Sequence, residues 1–305
     1  MIISNQPLVS LVVRTRNEEE RIRRCLESCA HQTYAFLELI VIDNNSSDST
    51  KAIASEFTDL VFDHGPERVA QGNFGMLEIA TGEIVGYLDA DMILEPFLVE
   101  SVVQHMVKTG DLGLYINENV LGNGYWGDLR RFERYFYNGT CIDAARFLNR
   151  HTVCIEKGFD EECFPTPSAE DWDLDRRMSS HGTISKLIYQ PAPAKYWKPS
   201  LLTYVESLIP KLDRDTHGLF HDESIITPAV YAKKKVYYSA SMESYIKKWG
   251  KSDLIVQKQF GFRYRLFGVF FENKKWRKLL RHPFLAIGMF GFRIYIGFLY
   301  VVRLN

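Results

Sequence analysis

Two carboxylates separated by one residue, Asp89 and Asp91, follow a predicted buried strand. Residues 84–88 are apolar and predict that strand, which runs directly into Asp89-Ala90-Asp91. Hard divalent cations such as Mn²⁺ or Mg²⁺ prefer oxygen ligands, and a diphosphate supplies further oxygens. A cation held here would neutralise charge developing on a departing diphosphate. The alternative reading of such a pair, taken alone, is a solvated acidic loop.

A second acidic cluster, Glu170-Asp171-Trp172-Asp173, opens a stretch with helical periodicity that continues to residue 181. A carboxylate at a helix N-terminus is held in its ionised form and in a fixed position. Such a group can remove the proton from an attacking hydroxyl. The alternative is ordinary capping of the helix, in which Asp and Glu are common.

A glycine motif, G-x-G-x-x-G, occurs at residues 122–127, with Asp143 about 20 residues later. A dinucleotide fingerprint connects the first strand of a domain to its helix. This copy follows four predicted strands, so we do not assign a dinucleotide site to it. The phosphate-binding motif G-x-x-x-x-G-K-[ST] does not occur in the sequence.

The elements that must position these residues alternate between strand and helix. Strands are predicted at residues 8–15, 37–43, 60–63 and 84–88, and helices at 18–30, 49–57, 70–80 and from 96 onward. A later helix and strand are predicted at 170–181 and 183–189. The alternation predicts an α/β fold with a doubly wound, mostly parallel sheet. Ligands bind such sheets at the carboxyl ends of the strands, so the polar segments 14–18, 43–48 and 89–91 are expected to form one site.

Five segments in this order resemble family 2 glycosyltransferases of the GT-A fold: residues 9–18, 42–50, 87–91, 158–161 and 170–174. The resemblance covers about the first 200 residues. It implies a doubly wound mixed sheet flanked by helices. It also implies metal-dependent transfer of a hexose from a UDP- or GDP-linked donor to a hydroxyl, with inversion at the anomeric carbon.

The resemblance also implies roles for individual positions. Asp171 corresponds to the catalytic base, with Glu170 beside it on the acceptor side. Asp89 and Asp91 correspond to the metal-binding pair. Of two late histidines, His217 and His221, His217 is the candidate third ligand, and the alternative is a plain loop residue. The positions assigned to the nucleotide-sugar and its surroundings are Arg14, Arg16, Glu18, Asp43, Arg68, Gln71, Asn73, Asp89, Ala90 and Trp172.

Three positions depart from the family pattern. Arg16 stands where a tyrosine that stacks on the base is common, although an arginine can also stack on an aromatic face. Asn44 stands where many relatives have a second aspartate, so recognition of a uracil-type base is not implied. Gly72 stands where a basic residue is common, which removes one expected phosphate contact.

The carboxyl-terminal segment differs in composition from the rest of the chain. The formal net charge of −1 predicts no nucleic-acid partner for the whole chain. Residues 258–305, however, contain ten Lys and Arg against one acid, Glu272. Residues 274–281 are basic and precede an apolar run at 283–302 with Arg293 at its centre, where an arginine costs roughly 2.5–3.5 kcal/mol on insertion scales. We therefore expect helices lying on an anionic membrane surface; the alternative is packing on the catalytic domain or on a second subunit.

The predicted organisation is a catalytic domain at 1–200, an acceptor-side region at 201–257 and the basic extension at 258–305. An odd number of cysteines without C-x-x-C spacing predicts reduced thiols, and residues 1–7 do not form a signal-peptide pattern. Both favour a cytoplasmic protein, peripheral on the membrane. A membrane-bound acceptor would then be a lipid-linked glycan or an envelope polysaccharide precursor.

Two other classes of protein remain as alternatives. A nucleotidyltransferase needs a glycine-rich basic loop after its first strand, and residues 14–18 contain no glycine. A non-catalytic protein that binds a sugar-nucleotide or a glycan on the same fold would not need Asp89, Asp91 and Asp171, and all three are present.

Overall fold

Four apolar segments form parallel strands at the centre of the molecule. In the computed structural model, which describes residues 3–209 and 217–304, they are β1 (Val9–Thr15), β2 (Leu37–Asp43), β3 (Val61–Asp63) and β4 (Ile84–Asp89). Val, Ile and Leu side chains bury both faces of β1 and β4, as is typical of parallel strands covered by helices. The predicted α/β arrangement is confirmed.

The central sheet continues beyond β4 with strands of mixed direction. Its order is β3-β2-β1-β4-β8-β6-β9, with β6 at Gly113–Tyr115, β8 at Ala145–Asn149 and β9 at Ile184–Lys186. Strand β8 runs antiparallel to both β4 and β6. A second sheet has the order β5-β10-β7, formed by Met92–Leu94, Leu219–Asp222 and Glu118–Leu121. It brings a late segment of the chain, β10, next to the residues that follow β4.

Helices cover both faces of the central sheet. They are α1 (Ile22–Ala30), α2 (Thr50–Ala54), α3 (Arg68–Asn73), α4 (Leu98–Thr109), α5 (Gly124–Tyr137), α6 (Arg150–Ile155), α7 (Glu170–Met178) and α8 (Pro199–Leu208). Helix α1 begins four residues later than predicted, because Asn17 adopts a positive φ of 52° and the Glu18 N–H donates to Thr50 Oγ1 instead. Helix α3 continues as a π-helical segment, Phe74–Ile79, in which Gly75 allows close approach to Val12 and Ile42.

The carboxyl-terminal part is helical, with α9 (Pro228–Tyr237), α10 (Ser239–Trp249), α11 (Leu254–Phe260), α12 (Val269–Phe271), α13 (Trp276–Arg281) and α14 (Pro283–Leu304). One face of α14 packs on α5, with Ala286 and Met289 buried in an aromatic cluster. The packing of this face corresponds to the alternative expectation for the apolar run, which was packing on the catalytic domain. Within residues 3–209 and 217–304, no helix combines the length and apolar character needed to cross a membrane.

A row of buried charges joins α14 to the strand β10. Arg293 donates from Nε to Glu133 Oε1 at 3.0 Å, and Glu133 also pairs with Arg130. Arg130 in turn donates to both carboxylate oxygens of Glu223, at 3.0 and 3.1 Å, one residue beyond β10. All four side chains are less than a tenth exposed. Because each charge has an opposite neighbour, the row avoids the large penalty of an isolated buried ion.

Candidate active site

The register of the parallel strands brings Arg14 and Asp89 together. Arg14 on β1 lies opposite Asp89 on β4, and Thr15 lies opposite Asp43 on β2. The Arg14 Nη2 atom is 2.7 Å from Asp89 Oδ1, and Arg68 Nη1 at the start of α3 is 3.2 Å from Asp89 Oδ2. Both oxygens of Asp89 are therefore bound by guanidinium groups. Burial alone would raise the pKa of Asp89, but Arg14, Arg68 and Arg146 outweigh it and hold that pKa well below its usual range.

Asp91 lies in a different environment, although it is only two residues away. Its Oδ2 atom is 3.1 Å from His221 Nε2 on β10 and 3.7 Å from Arg21 Nη1. Its Oδ1 atom is buried and has no hydrogen-bond partner. Burial acts to raise the pKa of Asp91, but the neighbouring His221 outweighs it and lowers the pKa to about 2. In return Asp91 raises the pKa of His221, against the effect of burial.

This arrangement fits a divalent cation. A buried, ionised carboxylate with one unpaired oxygen is costly unless a ligand completes it. In the described parts of the chain, no three His, Cys, Asp or Glu side chains converge to hold a metal by themselves. Asp91, with Asp89 and His221 around it, would therefore hold a cation whose other ligands come from a diphosphate and water.

His217, the histidine predicted as a third ligand, lies elsewhere. Its Nδ1 atom is 3.6 Å from Glu95 Oε1, and its carbonyl accepts a hydrogen bond from Asn119. Glu95 also accepts from the backbone N–H of Gly218. The histidine in contact with Asp91 is His221, so His221, and not His217, is the late histidine that lies beside the candidate cation site.

Asp171 lies in the first turn of α7 and faces the same cluster. Burial and the negative charge of Glu170 raise the pKa of Asp171 to about 7, while Arg146 and Arg14 act to lower it. These two arginines also act on Asp89, so the N-terminus of α7 and the end of β4 share one electrostatic environment. A carboxylate with a pKa near neutral is well matched to accept a proton from a hydroxyl.

Arg146 is a further candidate site residue, which the sequence motifs did not indicate. It projects from β8, donates to Glu118, and places its guanidinium carbon 5.3 Å from the ring centre of Tyr87. Arg14 lies 5.1 Å from the centre of the same ring. The available signal was a single arginine within the apolar stretch 144–148, since a charge inside a buried strand needs a partner.

Helix α9 and the residue after it border the site. Arg68 Nη2 donates to Tyr238 Oη at 3.0 Å, and Tyr237 Oη donates to Glu67 Oε1 at 3.2 Å. The charge of Lys234 acts on Asp91 and lowers its pKa, after the larger effects of burial and His221. The segment that begins at residue 228 therefore lies over the side of the site that contains Asp89 and Asp91.

Three predicted nucleotide residues lie at or just beyond the carboxyl ends of β1 and β2. Asp43 is buried and accepts two hydrogen bonds from Ser46, each 2.6 Å long. Glu18 pairs with Arg21, and burial raises the pKa of Glu18 to about 6. Arg16 is exposed. Asp43 therefore shapes its loop through Ser46, and Arg16 is open to a ligand.

Three other predicted positions point away from this cluster. Gln71 donates to the carbonyls of Thr15 and Ile42 and so bridges the carboxyl ends of β1 and β2. Asn73 is bound to both the N–H and the carbonyl of Phe159, beside a separate cleft of about 640 Å³. Trp172 donates to the Ile142 carbonyl and packs among the aromatic side chains of the carboxyl-terminal helices.

The absence of a basic residue at position 72 has a local cause. A Cβ atom on Gly72 would lie 2.7 Å from the ring of Phe159 and close to the side chain of Arg14. A longer side chain does not fit there without moving Phe159. The phosphate contact common in relatives is therefore not available at this position.

The amino-terminal half of the chain matches a known protein family. The model of the family described as glycosyl transferase family 2 matches residues 10–159. This segment belongs to glycosyl transferase family 2. The match contains β1 to β4 and the Asp89-Ala90-Asp91 segment, and it ends before α7.

The chain also resembles individual proteins of this type. It is 32% identical over 120 residues to the UDP-Glc:alpha-D-GlcNAc-diphosphoundecaprenol beta-1,3-glucosyltransferase WfgD of Escherichia coli, covering 38% of this chain and 47% of that protein. Two solved structures share the fold at low sequence identity. TarS 1–349 of S. aureus has a TM-score of 0.53 at 17% identity, covering 94% of this chain and 80% of that one. The mannosyltransferase PcManGT of Pyrobaculum calidifontis, in complex with GDP-Man and Mn²⁺, has a TM-score of 0.52 at 16% identity, covering 98% and 81%.

These likenesses establish the GT-A-type fold of the chain. The chain spans about a third to a half of the length of several curated relatives that it matches. The family match therefore covers the amino-terminal half, including β8, whereas the site residues on α7 and β10 lie outside it and rest on the geometry described above.

Proposed function

We propose that the chain is a glycosyltransferase that moves a sugar from a nucleoside-diphosphate donor to a hydroxyl acceptor, with a divalent cation at Asp91 and inversion at the anomeric carbon. The observation that carries this proposal is that two carboxylates of the site, Asp91 and Asp171, differ in their pKa values. Asp91 is held ionised with one buried oxygen unpaired, whereas Asp171 has a pKa near 7. The first suits a cation, and the second suits proton transfer.

The chain's own residues would divide the chemistry between binding and proton transfer. Asp171 accepts the proton from the acceptor hydroxyl as that oxygen attacks the anomeric carbon. Arg14 and Arg68 carry positive charge at the end of β4, where the donor's diphosphate would lie. A bound Mn²⁺ or Mg²⁺ would supply Lewis-acid stabilisation of the departing diphosphate. His221 keeps the Asp91 carboxylate oriented.

The donor and acceptor classes are proposals that the relatives support. WfgD is named for a UDP-linked glucose donor and an acceptor on diphosphoundecaprenol, and PcManGT is in complex with GDP-Man and Mn²⁺. We therefore propose a UDP- or GDP-linked hexose as donor. For the acceptor we propose a lipid-linked glycan or an envelope polysaccharide precursor, handled on the cytoplasmic side of a membrane.

The nucleotide is tested by thermal unfolding of the full chain with UDP, GDP or dTDP, each with and without Mn²⁺. A ligand that binds only the folded state raises the melting temperature. We expect one nucleotide to give a clear increase that requires Mn²⁺. If no nucleotide shifts the melting temperature, the proposed donor site is wrong. If a nucleotide binds but no acceptor supports turnover, the non-catalytic alternative is favoured.

The pH dependence of turnover provides a further prediction. Because the base form of Asp171 is the ionised one, the turnover rate is expected to rise with pH and to reach half its maximum near pH 7. Arg146→Gln removes a positive charge that lowers the pKa of Asp171, so the midpoint of the turnover profile should move to higher pH. Arg146→Lys retains the charge and should leave the midpoint near its original value. A midpoint that is the same in all three proteins would show that Asp171 does not control the profile.

A further inference from the structure

Helix α14 has two faces of different kinds. The inner face packs against α5 and α9 through Ala286, Met289, Phe290 and Arg293. The outer face is apolar and exposed. Its positions are spaced three and four residues apart: Phe284, Ile287, Gly291, Ile294 and Phe298. This spacing places them on one stripe along the helix. The stripe, which we call the outer face, has no covering element among the described residues.

Exposed apolar surface is concentrated in this part of the protein. Of the twenty large hydrophobic side chains that are exposed in the described residues, twelve lie between residues 254 and 298. Phe284 is 81% exposed and Ile287 is 71% exposed. Contiguous apolar surface of this kind marks an interaction site on a soluble domain.

The charges beside the outer face are positive. The preceding helix, α13, exposes Arg277 and Arg281 next to Trp276 and Leu280, and Lys274 is exposed just before it. The one acid after residue 258, Glu272, accepts a hydrogen bond from Tyr264. Basic side chains interleaved with tryptophan and leucine match the headgroup layer of an anionic bilayer.

We propose that the outer face of α14 docks in the interfacial layer of an anionic membrane, with α13 among the headgroups. The charge pattern favours a bilayer over a second copy of this chain, because two copies meeting at this face would bring like charges together. Arg293 does not oppose docking, since it points inward and is neutralised by Glu133.

Docking at this face would place the active site close to the bilayer. Phe292 of α14 contacts Tyr231 of α9, with ring centres 5.7 Å apart. The same α9 carries Lys234, and Tyr238 just after it binds Arg68 of the site. Helix α9 thus lies between α14, which carries the outer face, and the site. The step from docking to a lipid-linked acceptor rests on the proposed function, whereas docking itself does not.

Docking is tested by flotation of the full chain with vesicles of phosphatidylcholine, with or without an equimolar share of phosphatidylglycerol. We expect the protein to float only with the anionic vesicles and to be released as salt is raised. The double variant Ile287→Glu/Ile294→Glu should lower the bound fraction at least about tenfold. It places charges where apolar side chains would otherwise enter the bilayer. Arg277→Gln/Arg281→Gln should weaken binding and reduce its dependence on salt.

Two controls separate docking from misfolding. Gly291→Glu adds a charge to the outer face at a position where a Cβ meets no atom within 4 Å, so loss of flotation there cannot arise from disturbed packing. Ile188→Glu changes a side chain that is 86% exposed outside this region and should float normally. Full-length protein that stays at the bottom with anionic vesicles would overturn the proposal. So would a vesicle-free dimer, seen by sedimentation, that the double variant dissociates.

Discussion

Turnover is expected to fall by about 10³-fold when Asp91 is replaced by asparagine, because the cation would lose its charged oxygen ligand. A loss of about 4 kcal/mol of transition-state stabilisation corresponds to this factor. The substitution keeps the shape of the side chain, and His221 can still contact its oxygen. The expected result is therefore a folded protein with little activity and no Mn²⁺-dependent stabilisation by nucleotide.

The measurement is a turnover assay combined with thermal unfolding in the presence of nucleotide and Mn²⁺. Asp59→Asn serves as the matched control, since Asp59 is exposed and precedes β3, whereas the site lies beyond the carboxyl ends of the parallel strands. That control should retain both activity and Mn²⁺-dependent stabilisation. Enzyme treated with EDTA that keeps full turnover would show that the metal assignment is wrong.

A second large effect is expected from Asp171→Asn. An amide cannot accept the proton from the acceptor hydroxyl, and loss of a positioned base typically lowers the rate by about 10²–10⁴-fold. Asp171 does not pair with Arg68 or Asp91, so nucleotide binding should be retained. The pair of results, binding without turnover, distinguishes this variant from Asp91→Asn.

The stereochemistry of the product tests the same step independently. Direct displacement assisted by Asp171 inverts the anomeric carbon, and NMR of the product reports its configuration. A product with the donor's configuration would contradict inversion, whereas near-normal turnover of Asp171→Asn would contradict the residue assignment. Glu162→Gln, a change on the exposed loop before α7, is the matched control and should leave turnover unchanged.

The positions of Asp89 and Arg14 could be predicted because they depend on local sequence. The apolar segments define buried parallel strands, and polar residues immediately after them must meet at one edge of the sheet. The register then sets Arg14 directly opposite Asp89. The pairing of guanidinium and carboxylate follows from burial, since neither charge is stable there alone.

The position of His221 beside Asp91 could not be predicted from local sequence. His217 and His221 belong to the same short segment, and only the pairing of β10 with β5 decides which one lies beside Asp91. That pairing joins residues more than 120 positions apart, for example His221 and Met92. Local periodicity carries no information about such contacts.

Trp172 shows a different limit. It follows the predicted base directly, and the family pattern suggested a position near the ligand. Successive residues of a helix point in directions about 100° apart, so Asp171 and Trp172 face different sides of α7. The aromatic side chains of the last helices form the pocket that Trp172 fills, and those helices lie some 90 residues later in the chain.

The buried row formed by Glu223, Arg130, Glu133 and Arg293 bears on how far the chain can be shortened from its carboxyl end. A chain cut before α14 would lose Arg293 and expose the apolar side chains that Ala286 and Met289 cover. Glu133 would keep Arg130 as a partner but would lose its contact with Arg293. A chain that ends before α14 is therefore expected to be less stable than the full chain, even though the family match ends much earlier, at residue 159.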